Sequence, residues 1–280
     1  MNRRLLRLLG LLAVLAVNEF AADNAFRFSI LGDRTGGADQ AVYAQTWSEI
    51  DRLRPDFVIN VGDTIQGTED QIAEAQWKEI RGFLARYKRY PLYFVAGNHD
   101  IWSDYSRKLF ERETGRPPTY SFDYQNAHFV VLDNSRSFDL PLDQLQFLED
   151  DLKRNRARDP KFILFHQSFW IFFVKLKSDF FPLHRLAREY GVDYVITGHG
   201  HQFIRLEQDG IVYVQMGSSG ANIGEAWKKD EGFALGSFYH HALVEVTGAQ
   251  VKFTVKELDA PYGKGRQVPV IAAASGRALP

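Results

Sequence analysis

The 280-residue sequence contains no cysteine, which removes disulfides, thiolate metal sites and cysteine nucleophiles from consideration together. Any metal must rest on His, carboxylate, amide or hydroxyl groups. A charge excess of either sign is also absent: 34 Lys and Arg stand against 35 Asp and Glu, for a formal net charge of -1. No long Lys/Arg run supplies the basic groove expected of a nucleic-acid binder. Internal repeats and low-complexity blocks are missing too. What remains, 45% hydrophobic and 25% charged residues, is ordinary globular composition with enough apolar material for one large core, so a single domain is the default.

An apolar run opens the chain. Arg3 and Arg4 precede apolar residues from Leu5 to Val17, interrupted by Arg7 and Gly10, and small residues follow at Ala21 and Ala22. That is the layout of a signal peptide over residues 1–22, with cleavage after Ala16 or Ala22, and it places the mature protein in the periplasm or outside the cell. An uncleaved N-terminal anchor is the alternative. The run is shorter than the roughly 20 residues of a membrane span, and nothing beyond this leader suggests a transmembrane domain.

Short apolar runs then alternate with helical patterns. FRFSIL (26–31) is followed by Tyr43, Trp47, Ile50 and Arg54 at helical spacing, then by DFVINV (56–61), which is βαβ writing. Ala73, Trp77, Ile80, Leu84 and Tyr87 mark a second helix leading to LYFVA (92–96). These runs lack polar alternation, as expected of strands buried on both faces. TYSFDY (119–124) and HFVVLD (128–133) form an antiparallel hairpin around Gln125-Asn126-Ala127. Leu142, Leu145, Leu148 and Leu152 mark a helix before KFILF (161–165), and Pro182 opens another before YVIT (194–197). GIVYVQMG (210–217), HALVEV (241–246) and VKFTVKEL (251–258) close the fold as β structure, and after Ala260 the Gly-, Pro- and Ala-rich tail reads as frayed or weakly docked. The domain is thus expected over 25–260, with a tail over 261–280.

Five strand runs end in polar residues: Gly32-Asp33, Gly62-Asp63, Gly97-Asn98-His99-Asp100, His166, and Gly198-His199-Gly200-His201. In open α/β sheets ligands bind at the carboxyl ends of the strands, so these residues can converge although far apart in sequence. The neighbouring glycines let the backbone turn and leave room for the polar group. Two carboxylates, an amide oxygen and several imidazoles suit Mn, Fe, Zn or Co and are too rich in nitrogen for a Mg or Ca site. A carboxylate can bridge two cations. Two metals about 3.5–4 Å apart would generate hydroxide at neutral pH and stabilise charge on a phosphoryl group.

In this order the motifs GD, GD, GNH[DE], H and GHxH resemble the calcineurin-like metallophosphoesterase superfamily from Gly32 to His201. The resemblance implies an α/β fold, a two-sheet β-sandwich flanked by helices in four layers. It implies two divalent or trivalent transition-metal ions, with Asp63 bridging, Asn98, His166 and His199 completing one site, and Asp33 and His201 serving the other. A phosphomonoester or phosphodiester is then hydrolysed by metal-bridging hydroxide, and His99 protonates the leaving oxygen without ligating metal. Asp100, next in sequence, is the candidate to orient that imidazole, as a carboxylate does for other catalytic histidines.

The sequence departs from this pattern in the first motif, where Asp33-Arg34-Thr35 stands in place of the Asp-x-His common in the superfamily. Purple acid phosphatases, a branch that also lacks that His, have a Tyr three residues after the bridging Asp; here that position is Gln66. Gln66, Thr35, a water and a depleted first site are the four ways to make good the missing ligand. The gap also gives footing to a different reading, a noncatalytic binding module on the same fold. For Arg34 two readings stand, a clamp for substrate phosphate or a solvated turn residue. His128, His184, His240 and His241 read as structural. The apolar run Ser168 to Val174 lines a pocket for an apolar leaving group, touches a membrane, or packs on the core as a lid.

Overall fold

The computed structural model describes residues 25–178, 180–223 and 235–270. The expected leader and residues 271–280 of the expected tail lie outside the described residues. Thirteen strands are described: β1 (Ala25–Leu31), β2 (Phe57–Asn60), β3 (Leu92–Phe94), β4 (Tyr120–Tyr124), β5 (Ala127–Val131), β6 (Lys161–Leu164), β7 (Tyr194–Thr197), β8 (Phe203–Gln208), β9 (Ile211–Gln215), β10 (Leu235–Gly236), β11 (His240–Thr247), β12 (Gln250–Glu257) and β13 (Gln267–Val270). They form one sheet in the order β13-β12-β11-β1-β2-β3 and another in the order β10-β8-β9-β7-β6-β5-β4. In the first, β1, β2 and β3 run parallel; in the second, β5, β6, β7 and β9 do. The carboxyl ends of these parallel strands carry the five polar strand ends.

The sheets face each other across an apolar layer in which Phe28 stacks on Phe57 with ring centroids 5.0 Å apart, Phe129 stacks on Phe162 at 4.8 Å, and Phe28 meets Phe162 edge-on at 5.4 Å. Burying such rings removes large apolar areas from water and holds the two sheets in one register. Helices α1 (Gln40–Leu53), α2 (Asp70–Leu84) and α3 (Asp104–Thr114) cover the outer face of the first sheet through Trp47, Trp77 and Phe110. Helices α4 (Leu142–Arg154), α5 (Trp170–Lys175) and α6 (Pro182–Glu189) cover the second through Leu148, Trp170 and Leu183. This is the four-layer sandwich that the motif order implied. Local chemistry sets the helix starts: the Asp39 carboxylate accepts from Ala41 N and Val42 N ahead of α1, Ser103 and Ser106 form a capping box at α3, and Pro182 occupies the first turn of α6.

Three strands went unread in the sequence, among them the two-residue β10. β8 is a half-exposed strand paired antiparallel to β9, and β13 pairs with β12. The tail read as frayed thus adds an edge strand to the first sheet. The apolar run after His166 becomes α5: Trp170 is fully buried against Tyr213, and its Nε1 donates to Thr197 Oγ1 at 3.0 Å. Of the three readings of that run, packing on the core accounts for Trp170 and Val174, while Phe173 lines a cavity of about 220 Å³ with Leu140, Leu145, Phe169 and Phe181. No helix among the described residues is long and apolar enough to cross a membrane.

Candidate metal centre

Each sheet contributes half of the centre. Asp33, Asp63 and Asn98 follow β1, β2 and β3, and His166, His199 and His201 follow β6 and β7. Single atoms of Asp63, His166 and His199 lie within 4.8 Å of one another, and so do single atoms of Asp33, Asp63 and His201. Asp63 belongs to both clusters. Asn98 Oδ1 joins the first, 3.1 Å from His166 Nε2 and 2.9 Å from His199 Nδ1.

The backbone is bent to bring these groups together. Asp63, His199 and His201 have φ of 54°, 74° and 54°, in the left-handed region that residues with a Cβ seldom occupy. Such strain persists where the surroundings over-determine it, most often at functional sites. Space is equally tight. A Cβ on Gly97 would lie 2.1 Å from Asp63 Oδ1, and one on Gly198 would lie 2.4 Å from Asp33 Oδ1, so both positions require glycine.

Hydrogen bonds aim the donor atoms. His166 Nδ1 lies 2.8 Å from the Val61 carbonyl, which can only accept, so Nδ1 carries the proton and Nε2 faces Asp63 Oδ2 at 3.2 Å and Asn98 Oδ1 at 3.1 Å. His201 Nδ1 likewise donates to the Asn222 carbonyl at 2.9 Å, which turns Nε2 toward Asp33 Oδ2 at 3.4 Å. This is how metal-ligating histidines are held. Asp33 is fully buried; its Oδ1 accepts from His199 N at 3.1 Å, whereas its Oδ2 has no hydrogen-bond partner among the described residues.

The electrostatics ask for cations. Burial pushes Asp33 well above the usual carboxylate range, against the pull of His166. Burial alone would lower His166, but the charges of Asp63 and Asp33 outweigh it and push the imidazole up to about 10. Burial and then the neighbouring His166 lower His199 to about 4. An oxygen without a donor, and imidazole nitrogens aimed at oxygens, are satisfied together by metal ions, and the mixed N/O set fits Mn, Fe, Zn or Co.

Two expected roles change. Asp100 does not orient His99: it is fully buried, its Oδ1 accepts from Thr64 N at 2.9 Å and Ile65 N at 3.2 Å, and its Oδ2 accepts from Gly97 N at 3.0 Å. It ties the second motif to the third. His99 is held instead by the Gln66 carbonyl, 2.5 Å from its Nδ1, while its own N–H donates to Asp63 Oδ1 at 2.9 Å. Arg34 does not present a free fork to a phosphate. Its guanidinium is bound to Glu79 at 2.6 Å and to the Thr64 carbonyl at 3.2 Å, and it stacks over Tyr43. Gln66 Oε1 accepts from Gly36 N at 3.2 Å, and its Nε2 lies 3.4 Å from His99 Nδ1. The Thr35 hydroxyl is engaged by the Asp63 and Ile65 carbonyls at 3.0 and 2.9 Å. The second cluster brings together Asp33, Asp63 and His201.

The sequence reading missed the supports. Asn134 Oδ1 accepts from His166 N at 3.1 Å and Gln167 N at 3.0 Å, and Asn60 Oδ1 accepts from Gly62 N at 2.8 Å. Asn134 follows β5 at the same sheet edge, so a sixth polar strand end was there to be counted. His240 Nε2 accepts from Gly217 N at 3.1 Å, and Gly217 O accepts from Asp33 N at 2.7 Å. A histidine read as structural thus braces a ligand from behind.

The sequence profile described as calcineurin-like phosphoesterase matches residues 27–203. Purple acid phosphatase 15 of Arabidopsis thaliana is 28% identical over 156 residues, 46% of this chain and 29% of that protein. Purple acid phosphatase 13 of the same plant is 30% identical over 168 residues, 50% of this chain and 31% of that one. The aligned part is under a third of the length of either relative. Among solved structures, purple acid phosphatase PPD1 from yellow lupin (Lupinus luteus) seeds matches with a TM-score of 0.65 at 16% identity, over 88% of this chain and 53% of that one. GAP50, the anchor in the inner membrane complex of Plasmodium, matches with a TM-score of 0.60 at 15% identity over 90% of each chain. At such identities these structural likenesses speak to the fold alone.

Proposed function

The chain belongs to the calcineurin-like phosphoesterase family, and on that premise we propose that it hydrolyses a phosphomonoester or phosphodiester with two transition-metal ions and His99 as general acid. The observation that carries this reading is the sharing of Asp63 between two ligand clusters, the arrangement a bridging carboxylate needs. Asp63, Asn98, His166 and His199 would hold one ion, and Asp33, Asp63 and His201 the other. When bound, the two ions supply Lewis acidity and a nucleophilic water at neutral pH. The chain's own residues do the rest. With His99 Nδ1 held on the Gln66 backbone carbonyl, the imidazolium form carries its second proton on Nε2, the atom that would hand it to the leaving oxygen. General acid catalysis of this kind is worth about 10²–10⁴-fold, and most for poor leaving groups.

Metal-reconstituted protein should cleave members of a panel of phosphomonoesters and phosphodiesters. Asp63→Ala should lose both ions and His201→Ala only one, by elemental analysis. His99→Ala should keep both ions, with alkyl phosphate turnover down by about 10²–10⁴-fold and a nitrophenyl ester affected far less. The rival binding-module reading rests on the missing first-motif His; a protein that binds both metals and cleaves no ester would establish it. Export, inferred from Arg3, Arg4 and the apolar run to Val17, is tested by intact mass in the extracytoplasmic fraction, where loss of roughly the first 16–22 residues is expected.

A further inference from the structure

The peptide unit joining Gln66 to Gly67 is held at both ends. Its carbonyl accepts from His99 Nδ1 at 2.5 Å, and its N–H donates to Gln76 Oε1, on α2, at 2.8 Å. Gly67 has φ of 61°, and a Cβ there would lie 1.7 Å from the His99 carbonyl oxygen, so this peptide lies directly against the His99 backbone. A glycine beside a peptide makes that peptide easy to flip, because glycine accepts both signs of φ. A flip would exchange the carbonyl facing His99 for an N–H. The imidazolium, which carries a proton on each ring nitrogen, would then lose its acceptor at Nδ1 and have to give up that proton or rotate away.

We propose that Gln76 is a positioning residue: by accepting the Gly67 N–H it fixes the Gln66 carbonyl toward His99 and so holds the imidazole by Nδ1, with Nε2 free. The inference rests on the reading of His99 as proton donor, but the geometry it describes does not depend on metal. Gln76 is half-buried on α2, and it is assigned no contact with substrate. It acts through one peptide. A side chain that merely packed the helix would need bulk at this position. The proposal needs an acceptor.

Two variants separate these demands. Gln76→Leu keeps the approximate bulk and removes the acceptor, whereas Gln76→Glu keeps an acceptor. In the zinc-loaded protein Gln76→Leu should retain both ions and lower kcat for an alkyl phosphate by about 10²-fold, the size of effect that about 1 Å of misplacement produces, with a much smaller loss for a nitrophenyl ester. Gln76→Glu should recover most of the loss. Nitrogen-15 spectra of the imidazoles, in protein as purified, should show the His99 proton on Nδ1 in wild type and Gln76→Glu and redistributed in Gln76→Leu. Equal losses on both esters, loss of metal, no change in turnover, or an unaltered His99 tautomer in Gln76→Leu would each overturn the assignment. If the wild type cleaves no ester, the catalytic reading fails first, and the tautomer alone decides the role of Gln76.

Discussion

Asp33 and Glu49 are both buried carboxylates, 0% and 2% exposed, one at the end of β1 and the other on the helix that covers it. Glu49 is answered from all sides. Its Oε1 accepts from Gln45 Nε2 and Asp259 N at 2.9 Å each, and its Oε2 accepts from Lys256 Nζ at 2.6 Å and faces His241 Nε2 at 3.4 Å. Burial works against its charge, yet the contacts from His241 and Lys256 prevail and hold the carboxyl far below its ordinary range. Among the described residues Asp33 has a single donor on one oxygen and none on the other. The histidines divide the same way: both ring nitrogens of His128 meet carboxylates, Asp123 at 2.7 Å and Asp151 at 2.6 Å, whereas His166 aims Nε2 at the metal centre. A buried charge that the fold neutralises is a strut. One that the fold leaves open marks a place for an ion from outside.

Replacing each charge measures this contrast. Glu49→Gln should destabilise the protein by about 3–5 kcal/mol, because Lys256 loses the charge that justifies its burial, while metal content stays at the wild-type level. Urea unfolding reads it, and a loss under about 1 kcal/mol, the range of an exposed pair, would break the comparison. The depressed value of Glu49 also fixes a pH window: its stabilisation is complete above the unfolded value of 4.5 and is lost as pH falls below it.

His240 should give the next largest effect. Burial lowers it from 6.5 to about 4, so the unfolded chain takes up the proton first. Stability contributed by the neutral ring is whole above pH 6.5 and falls as pH drops toward 4, by up to about 3 kcal/mol in metal-free protein. The neutral form is the one whose Nε2 accepts from Gly217 N, and Gly217 in turn holds Asp33. His240→Asn should flatten that part of the stability profile relative to wild type; parallel profiles would remove His240 from the account.

Asp33→Asn should have the smallest effect and the opposite sign to Glu49→Gln. Burial raises Asp33, so its ionisation weakens the metal-free fold as pH rises above the unfolded value of 3.8. Removing the charge should leave metal-free stability at neutral pH unchanged or raised by about 1 kcal/mol. Adding metal should reverse the ranking. An ion at 100 times its Kd stabilises wild type by about 2.7 kcal/mol, and the variant should gain less. A Tm series with and without Mn or Zn shows whether the two curves cross.

Much of this was legible in the chain. The parallel strands are continuous apolar runs because both their faces are covered, and five of the seven end at a turn bearing a candidate ligand. β8 escaped notice because FIRLEQ is half-exposed and carries charges, and β13 because Pro269 sits among its four residues, an edge-strand feature that reads as tail. The roles given to Asp100 and Arg34 changed for one reason: proximity in sequence to a ligand says nothing about which way a side chain turns. Asp100 is adjacent to His99 yet bonds to the backbone of Thr64 and Ile65, and Arg34 is adjacent to Asp33 yet reaches Glu79.

The sequence by itself determined the donor types, their order and their placement at strand ends, since apolar runs, glycine turns and the residues after them are local features. Only the tertiary structure decided which of those donors is satisfied and which is open. The partner of Asp33 Oδ1 is an N–H 166 positions away, and the clusters that share Asp63 draw on loops from both sheets. Hydrogen bonds of that span depend on how two sheets pack through their aromatic layer, and no local pattern encodes that distance.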